Sequence, residues 1–289
     1  MELQQLRYFL AVAQTGSFTV AAKTCFVSQP SLSAQIAKLE AELGGPLIER
    51  NRLGARLTRS GALFRVRAAE ALRQLESGRY EIEQLNGLTR GSVTLGCLPT
   101  TGAYLLPSLL KAFGKAHPEI EVILREESSP QLARMLRESE IDIAIMDEAG
   151  LGNGLRSEII FSEPLLIAIH PKHHFAGRKK LALKDLADEP LILMKSGHGF
   201  RKIVLDALLR AGIQPRVVYE TGEIDTVQAL VQAGMGLSIV PKMVKRPGLV
   251  YLEILAPTPT RTVHIVWRED SVLSPAALAM KKTAIASPK

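Results

Sequence analysis

At 289 residues, with 46% of them hydrophobic and both charge signs spread along the chain, there is material for more than one core, and two or three domains are expected. No run reaches the ~18 uncharged apolar residues of a membrane span. Glu2 and Arg7 interrupt the stretch where a signal peptide needs an apolar core, so a cytoplasmic protein with no membrane partner is expected. The net charge of +7 favours polyanionic partners, while two distant cysteines, Cys25 and Cys97, exclude a disulfide framework and a CxxC redox pair.

From Leu3 to Leu43 the apolar residues fall at helical spacing: Leu6, Phe9, Leu10 and Ala13, then Phe18, Ala21, Ala22 and Cys25, then Leu32, Ile36, Leu39 and Leu43. Three short helices fit. Gly16-Ser17 separates the first two, with Ser17 as N-cap; Ser28 caps the third, and Pro30 sits in its first turn, where a missing N–H is harmless. Helices two and three are then joined by a tight turn around Phe26-Val27. After Gly44-Gly45-Pro46, the runs Leu47 to Arg50 and Arg56 to Thr58 flank a glycine-containing basic hairpin, which reads as a wing.

From Ser60 to about Asn86 the chain lacks proline and repeats apolar residues at Ala62, Val66, Ala69, Leu72, Leu75, Ile82 and Leu85, predicting one long helix. Such a stripe on a small domain is removed from water most simply by a second copy, so a homodimer is expected. Gly87 and Gly91 flank a hinge. Beyond it, β-rich runs at Ser92 to Leu98, Glu121 to Glu126, Ile141 to Met146, Leu165 to His170, Leu191 to Met194, Arg216 to Tyr219, Leu237 to Val240 and Thr262 to Trp267 alternate with amphipathic stretches at Leu105 to His117, Gln131 to Glu138, Phe200 to Ala211 and Asp225 to Ala233. That alternation argues for doubly wound α/β architecture, split into two lobes around a cleft.

The segment Phe18 to Lys23, Ser28-Gln29-Pro30-Ser31-Leu32-Ser33-Ala34-Gln35-Ile36-Ala37-Lys38-Leu39-Glu40, Leu43-Gly44 and Leu47-Ile48-Glu49-Arg50 closely resembles the signature of LysR-type transcriptional regulators. The resemblance continues through Leu57-Thr58, Gly61, Gly91 to Gly96, Ala233 to Leu237 and Val240-Pro241, and so covers nearly the whole chain. It implies an α + α/β chain. The winged helix-turn-helix is placed at 1–59, the linker helix at 60–88, and a two-lobed effector domain like a periplasmic binding protein at 89–289. Lobe I is expected at about 92–162 plus 267–289 and lobe II at about 163–266.

Within the family, Leu98-Pro99-Thr100, Tyr104 to Pro107, Ser196 to Gly199 and Gly248 to Leu252 look like the OxyR-like branch. That resemblance implies a peroxidatic cysteine directly after His198. The residue there is Gly199, and no cysteine follows it, so the branch's thiol switch has neither of its cysteines here.

A recognition helix in the major groove would present Gln29, Pro30, Ser31, Ser33 and Gln35 to base edges, with Lys38, Arg50 and Arg52 on phosphates or in the minor groove. The partner implied is double-stranded DNA carrying an interrupted inverted repeat, bound by a homodimer or homotetramer that also engages RNA polymerase.

In the sensor domain, Thr100, Thr101, Ser128, Ser129, Ser196, His198 and Gly199 fall at predicted helix starts, whose free N–H groups attract anions. If these starts converge, a small carboxylate-bearing effector is favoured. Glu223 opposes a strongly anionic ligand, which leaves an amine-bearing or amphoteric effector open.

His170, His173 and His174 lack metal-site spacing, and no metal or other cofactor is expected. The glycines at 150–154 and 234–236 match no nucleotide loop, and neither a nucleophile elbow nor an acid–base pair is present, so no catalytic residue and no enzyme activity are expected. Two rivals stay open: redox sensing through Cys97, Met146 or Met194, and a solute-binding component.

Overall fold

The computed structural model describes residues 1–51, 54–85, 91–148 and 151–286. It divides into two compact units, one of residues 1–90 with 137–140 and one of residues 91–136 with 141–289. Among the described residues no helix is long and apolar enough to cross a membrane.

The first unit opens with α1 (Leu3–Thr15), α2 (Phe18–Thr24) and α3 (Gln29–Glu42). Ser17 and Ser28 act as the N-caps read from the sequence: Ser17 Oγ accepts from Val20 N–H at 3.4 Å and Ser28 Oγ from Ser31 N–H at 3.3 Å. The turn between α2 and α3 holds Phe26 at a φ of 55°, a left-handed conformation unusual for so large a residue. Leu6, Phe9, Val12, Ala21, Leu32, Ile36 and Leu39 form the core of this unit.

The wing is the antiparallel pair β1 (Ile48–Asn51) and β2 (Gly54–Leu57). Its approach is set by Glu40, whose Oε1 accepts from Leu47 N–H at 2.8 Å and Ile48 N–H at 3.0 Å. Thr58 then starts α4 (Arg59–Leu85): its Oγ1 accepts from Gly61 N–H at 2.9 Å and donates to Pro46 O at 2.8 Å. Ala68 is buried, and Phe64 and Leu72 pack with it on the helical core, whereas Leu63, Leu75 and Ile82 are exposed by 76%, 53% and 61%. Leu75 and Ile82 continue the face that carries Phe64, Ala68 and Leu72 beyond the stretch of α4 that the core covers, whereas Leu63 lies on a different face.

The second unit begins with β3 (Gly91–Cys97), α5 (Pro99–Tyr104), α6 (Leu106–Ala116), β4 (Ile120–Glu126), α7 (Ser129–Arg137) and β5 (Ile143–Asp147). A 15-residue strand, β6 (Leu155–Ile169), then leaves this first lobe. Lobe II contains β7 (Lys180–Leu181), β8 (Pro190–Met194), α8 (Gly199–Arg210), β9 (Arg216–Thr221), α9 (Ile224–Gln232), β10 (Ser238–Pro241) and β11 (Val250–Ile254). The chain returns through β12 (Thr260–Arg268) and ends in α10 (Pro275–Ala286).

In lobe I the strand order is β4-β3-β5-β12-β6, with β3 parallel to β4 and β5, and β12 antiparallel to β5 and β6. In lobe II the far half of β6 pairs antiparallel with β10 and β11, and β8 runs parallel to β9. Two cores follow. Val93, Leu95, Phe113, Ile143, Ile145 and Ile265 anchor the first lobe, and Ile167, Leu191, Ile192, Leu208, Val227 and Ile239 the second.

The lobe bounds expected at 162/163 and 266/267 fall on β6 and β12, strands that run from one lobe into the other; β12 pairs with β6 from Thr260 and with β5 from Val263. An alternating strand reveals which face is apolar, not which sheet accepts it. Similarly, the expected strand Leu165 to His170 is only the second half of β6, whose first half, Leu155 to Pro164, pairs with β12. The expected helix Leu105 to His117 is preceded by the separate turn-length α5.

Candidate nucleic-acid interface and effector cleft

Helix α3 buries Leu32, Ile36 and Leu39 and turns Pro30, Ser31, Ala34 and Lys38 outward. Of the residues expected to read DNA, Ser31 and Lys38 occupy this outward face with Pro30, while Gln29 and Ser33 are half-buried at its border. Gln35 is committed inward, accepting at Oε1 from Gln5 Nε2 at 3.2 Å. Ala34 shares this outward face, a position its small apolar side chain does not signal in the sequence. Arg50 lies in β1 opposite Ala55, and Arg52 lies outside the described residues.

In the second unit a cavity of about 30 Å³ lies between the lobes. Four helix starts meet there: Pro99 and Thr100 of α5, Ser129 of α7, His198, Gly199 and Phe200 at α8, and Gly222, Glu223 and Ile224 at α9. Thr100, Ser129, His198, Gly199 and Glu223 are thereby brought together. The other three sequence candidates do not line it. Thr101 is buried and donates from Oγ1 to Leu98 O at 2.9 Å, Ser128 precedes α7, and Ser196 is exposed.

Of the charged residues in this lining, sequence reasoning named Glu223 and missed Asp147 and Arg261. Asp147 ends β5, and its Oδ1 accepts from Ser129 Oγ at 2.7 Å, both residues being buried. Arg261 is 1% exposed; its Nη2 donates to Glu163 Oε1 at 2.8 Å and its Nη1 to Thr100 Oγ1 at 3.2 Å, while no acceptor meets its Nε among the described residues.

Glu163 and Arg261 are cross-strand partners on β6 and β12, at the place where both strands pass between lobes. Glu163 Oε2 also accepts from Met243 N–H at 2.7 Å, tying the 3-10 turn after β10 to the crossing. The sequence carries no signal that sets these two charges apart from Arg156, Glu158 and Arg268 on the same strands; their burial as a pair shows only once β6 and β12 meet.

These groups set the cleft's charge. The Arg261 guanidinium is already paired with Glu163, so Asp147 and Glu223 leave the cavity wall with excess negative charge. Burial, and then the Lys195 ammonium, hold His198 below the usual imidazole pKa against the opposing pull of Glu223 and Asp147. His198 is thus a neutral hydrogen-bonding group at neutral pH. Across the rim, Tyr104 Oη of α5 donates to Asp225 Oδ1 of α9 at 2.9 Å.

Cys97, at the end of β3, is buried away from this cavity's wall, and burial followed by the charge of Glu126 pushes its thiol up to about 12. A thiol at that value is almost wholly protonated at neutral pH, and the thiolate is the reactive form. Iodoacetamide is therefore expected to modify Cys97 in the native protein at least about a hundredfold more slowly than in the unfolded chain. Equal rates, followed by peptide mass mapping, would show that burial does not control it.

Residues 3–62 match the bacterial regulatory helix-turn-helix of the lysR family, and residues 86–286 match the LysR substrate binding domain. The chain is 32% identical over 278 residues to the DNA-binding transcriptional dual regulator OxyR of Escherichia coli K12, covering 94% of this chain and 91% of that protein. Among solved structures, a full-length OxyR variant from Pseudomonas aeruginosa matches with a TM-score of 0.83 at 28% identity, covering 99% of this chain and 95% of that one. Full-length CbnR in complex with its target DNA matches with a TM-score of 0.69 at 27% identity over 100% of both chains. These matched proteins are regulators rather than enzymes, and with both of its domains accounted for, this chain belongs to the LysR family of transcriptional regulators.

Proposed function

We propose that this chain is a promoter-binding regulator gated by a small amphoteric effector in the interlobe cleft, and not by a thiol switch. The observation that carries this reading is the meeting of four helix starts with Arg261 and Asp147 on one cavity. Helix N-termini and the Arg261 guanidinium favour an acceptor such as a carboxylate. Asp147 and Glu223 favour a donor such as an amine, so a molecule carrying both satisfies the wall better than a simple anion.

The cavity of about 30 Å³ is the size of a single small group, and a larger effector must part the lobes. Parting them would load the Tyr104–Asp225 bond, which joins α5 to α9, about the crossing strands that carry Glu163 and Arg261. An effector shifts that equilibrium only by its differential affinity for the two arrangements, typically worth ~1–3 kcal/mol in allosteric proteins.

On the DNA side, α3 enters the major groove with Ser31, Ala34 and Lys38 foremost and Gln29, Pro30 and Ser33 beside them, the wing with Arg50 and Arg52 following the backbone. The exposed Leu75 and Ile82, one heptad apart on a single face of α4, supply the contact for a homodimer, from which a homotetramer on an interrupted inverted repeat is built. RNA polymerase is the downstream partner and the cytoplasm the compartment. For Lys38→Ala the slope of log affinity against log salt is expected to fall by about 0.9, the loss of one phosphate contact. An unchanged slope in fluorescence anisotropy would remove Lys38 from the interface.

A peroxide-sensing reading is favoured by the 32% identity to a protein described as a hydrogen peroxide-inducible genes activator from Pectobacterium carotovorum. Gly199 beside His198 and the unreactive setting of Cys97 weigh against it. Thermal-shift screening with amino acids, simple carboxylates, simple amines and hydrogen peroxide separates the readings. Stabilisation by amphoteric compounds, lost in Asp147→Asn, supports the cleft effector. A response to peroxide alone would replace it with redox sensing.

A further inference from the structure

The sequence offered three neighbouring histidines and no fourth ligand at metal spacing. In the folded chain the set is different. His170 turns its Nδ1 to the Lys172 N–H at 3.0 Å and drops out, while Glu189, at the approach to β8, joins His173 and His174. We propose that His173, His174 and Glu189 form a divalent transition-metal site of the zinc type on lobe II.

The distances support an ion rather than hydrogen bonds alone. His173 Nε2 lies 3.3 Å from one carboxylate oxygen of Glu189, and His174 Nε2 lies 3.2 Å from the other. A charge-assisted N–H···O bond closes to about 2.7–2.9 Å, so both separations are long for that interaction. Around a tetrahedral ion with ligand bonds of about 2.0–2.2 Å, neighbouring donor atoms stand about 3.3–3.5 Å apart, close to the two histidine–carboxylate separations. All three donor atoms lie within 4.8 Å of one another.

The surroundings also suit a site. Glu189 and His173 have side chains only 15% and 16% exposed, so the carboxylate is partly withdrawn from water, while His174 at 64% leaves one side open for the ion and its remaining water ligands. The two imidazoles are stacked, with centroids 4.4 Å apart, and the His174 ring also packs on Phe175 at 4.0 Å, so a shared ion requires His174 to turn its ring. Nδ1 of His173 accepts from Phe175 N–H at 3.3 Å; metal on Nε2 moves the ring proton to Nδ1 and gives up that one long contact. The bound ion would clip the 170–176 turn to β8, the strand whose last residue, Met194, lines the effector cavity.

The test uses the full chain, stripped with a chelator and titrated with zinc chloride against a chromophoric competitor, and with cobalt chloride for its visible absorption. One zinc ion per chain and a tetrahedral cobalt spectrum are expected. His174→Ala, a change at an exposed side chain, and Glu189→Gln, which keeps a hydrogen-bonding group, should each weaken binding at least about tenfold with near-UV circular dichroism unchanged. No zinc binding by the wild-type chain, or wild-type affinity in both variants, would overturn the site.

Discussion

Replacing Arg261 by methionine is expected to destabilise the sensor unit by about 3–5 kcal/mol, because it leaves the Glu163 carboxylate buried without its cation. The side chains are 1% and 8% exposed, so water cannot take over the lost contact as it does at a surface pair. Glu163 would keep the Met243 N–H, one donor for a carboxylate that now has two. The double variant Arg261→Met, Glu163→Leu removes both charges and should recover most of the loss, since well-packed apolar replacements of buried ion pairs are often neutral. Urea unfolding of the four proteins in the cycle measures this. A cost below about 1 kcal/mol for the single variant would mean that the crossing is solvated in solution.

The double variant has a second use. It should fold and bind promoter DNA yet fail to respond to the effector, because Arg261 also lines the cavity and donates to Thr100. Stability and sensing are separable at this pair.

Gly61→Ala is expected to cost the DNA-binding unit about 3 kcal/mol, at the upper end of what overpacking usually does. A methyl group there would be driven into the backbone carbonyl of Leu47, which leads into β1, and backbone cannot swing aside as a flexible side chain can. The same turn holds Thr58, whose hydroxyl joins Gly61 N–H to Pro46 O, so relief of the clash breaks a cap as well. The variant should lose promoter affinity through a displaced wing while the sensor unit unfolds at its usual urea concentration. Wild-type melting of the first unit would contradict the packing at this junction.

Much of this was legible before folding because local chemistry decides it. Ser17, Ser28 and Pro30 mark helix starts through groups that act within one turn of themselves, and the spacing of Leu32, Ile36 and Leu39 needs only a helix to form a buried face. The wing followed from a glycine-containing basic hairpin between two short apolar runs. The helix starts around the cleft were readable for the same reason, although only Thr100, Ser129, His198, Gly199 and Glu223 reached the cavity. Thr101 beside them points into its own helix cap, a difference of one residue's rotation that composition does not carry.

What escaped depends on contacts distant in sequence. Arg261 and Glu163 look like any other charge on strands that also carry Arg156, Glu158 and Arg268 until β6 and β12 pair. Glu189 becomes a ligand candidate only when the turn at 170–176 folds back beside it. The passage of β12 between the lobes is hidden because the strand has the same alternation whichever lobe receives it. Helix α10 was missed as well: Pro275 to Ala286 is mostly small and apolar, with little amphipathic contrast, and its burial of Ala277, Met280 and Ala284 against lobe I shows only after folding.

Whether a small molecule in the cleft alters how this chain holds DNA is decided by footprinting on the region upstream of its own gene, with and without a compound that raises the melting temperature. Protection over two separated half-sites, weakened by salt and shifted in extent by the compound in the wild type but not in the Arg261→Met, Glu163→Leu variant, is the predicted result. Protection that is identical with and without every stabilising compound would contradict it.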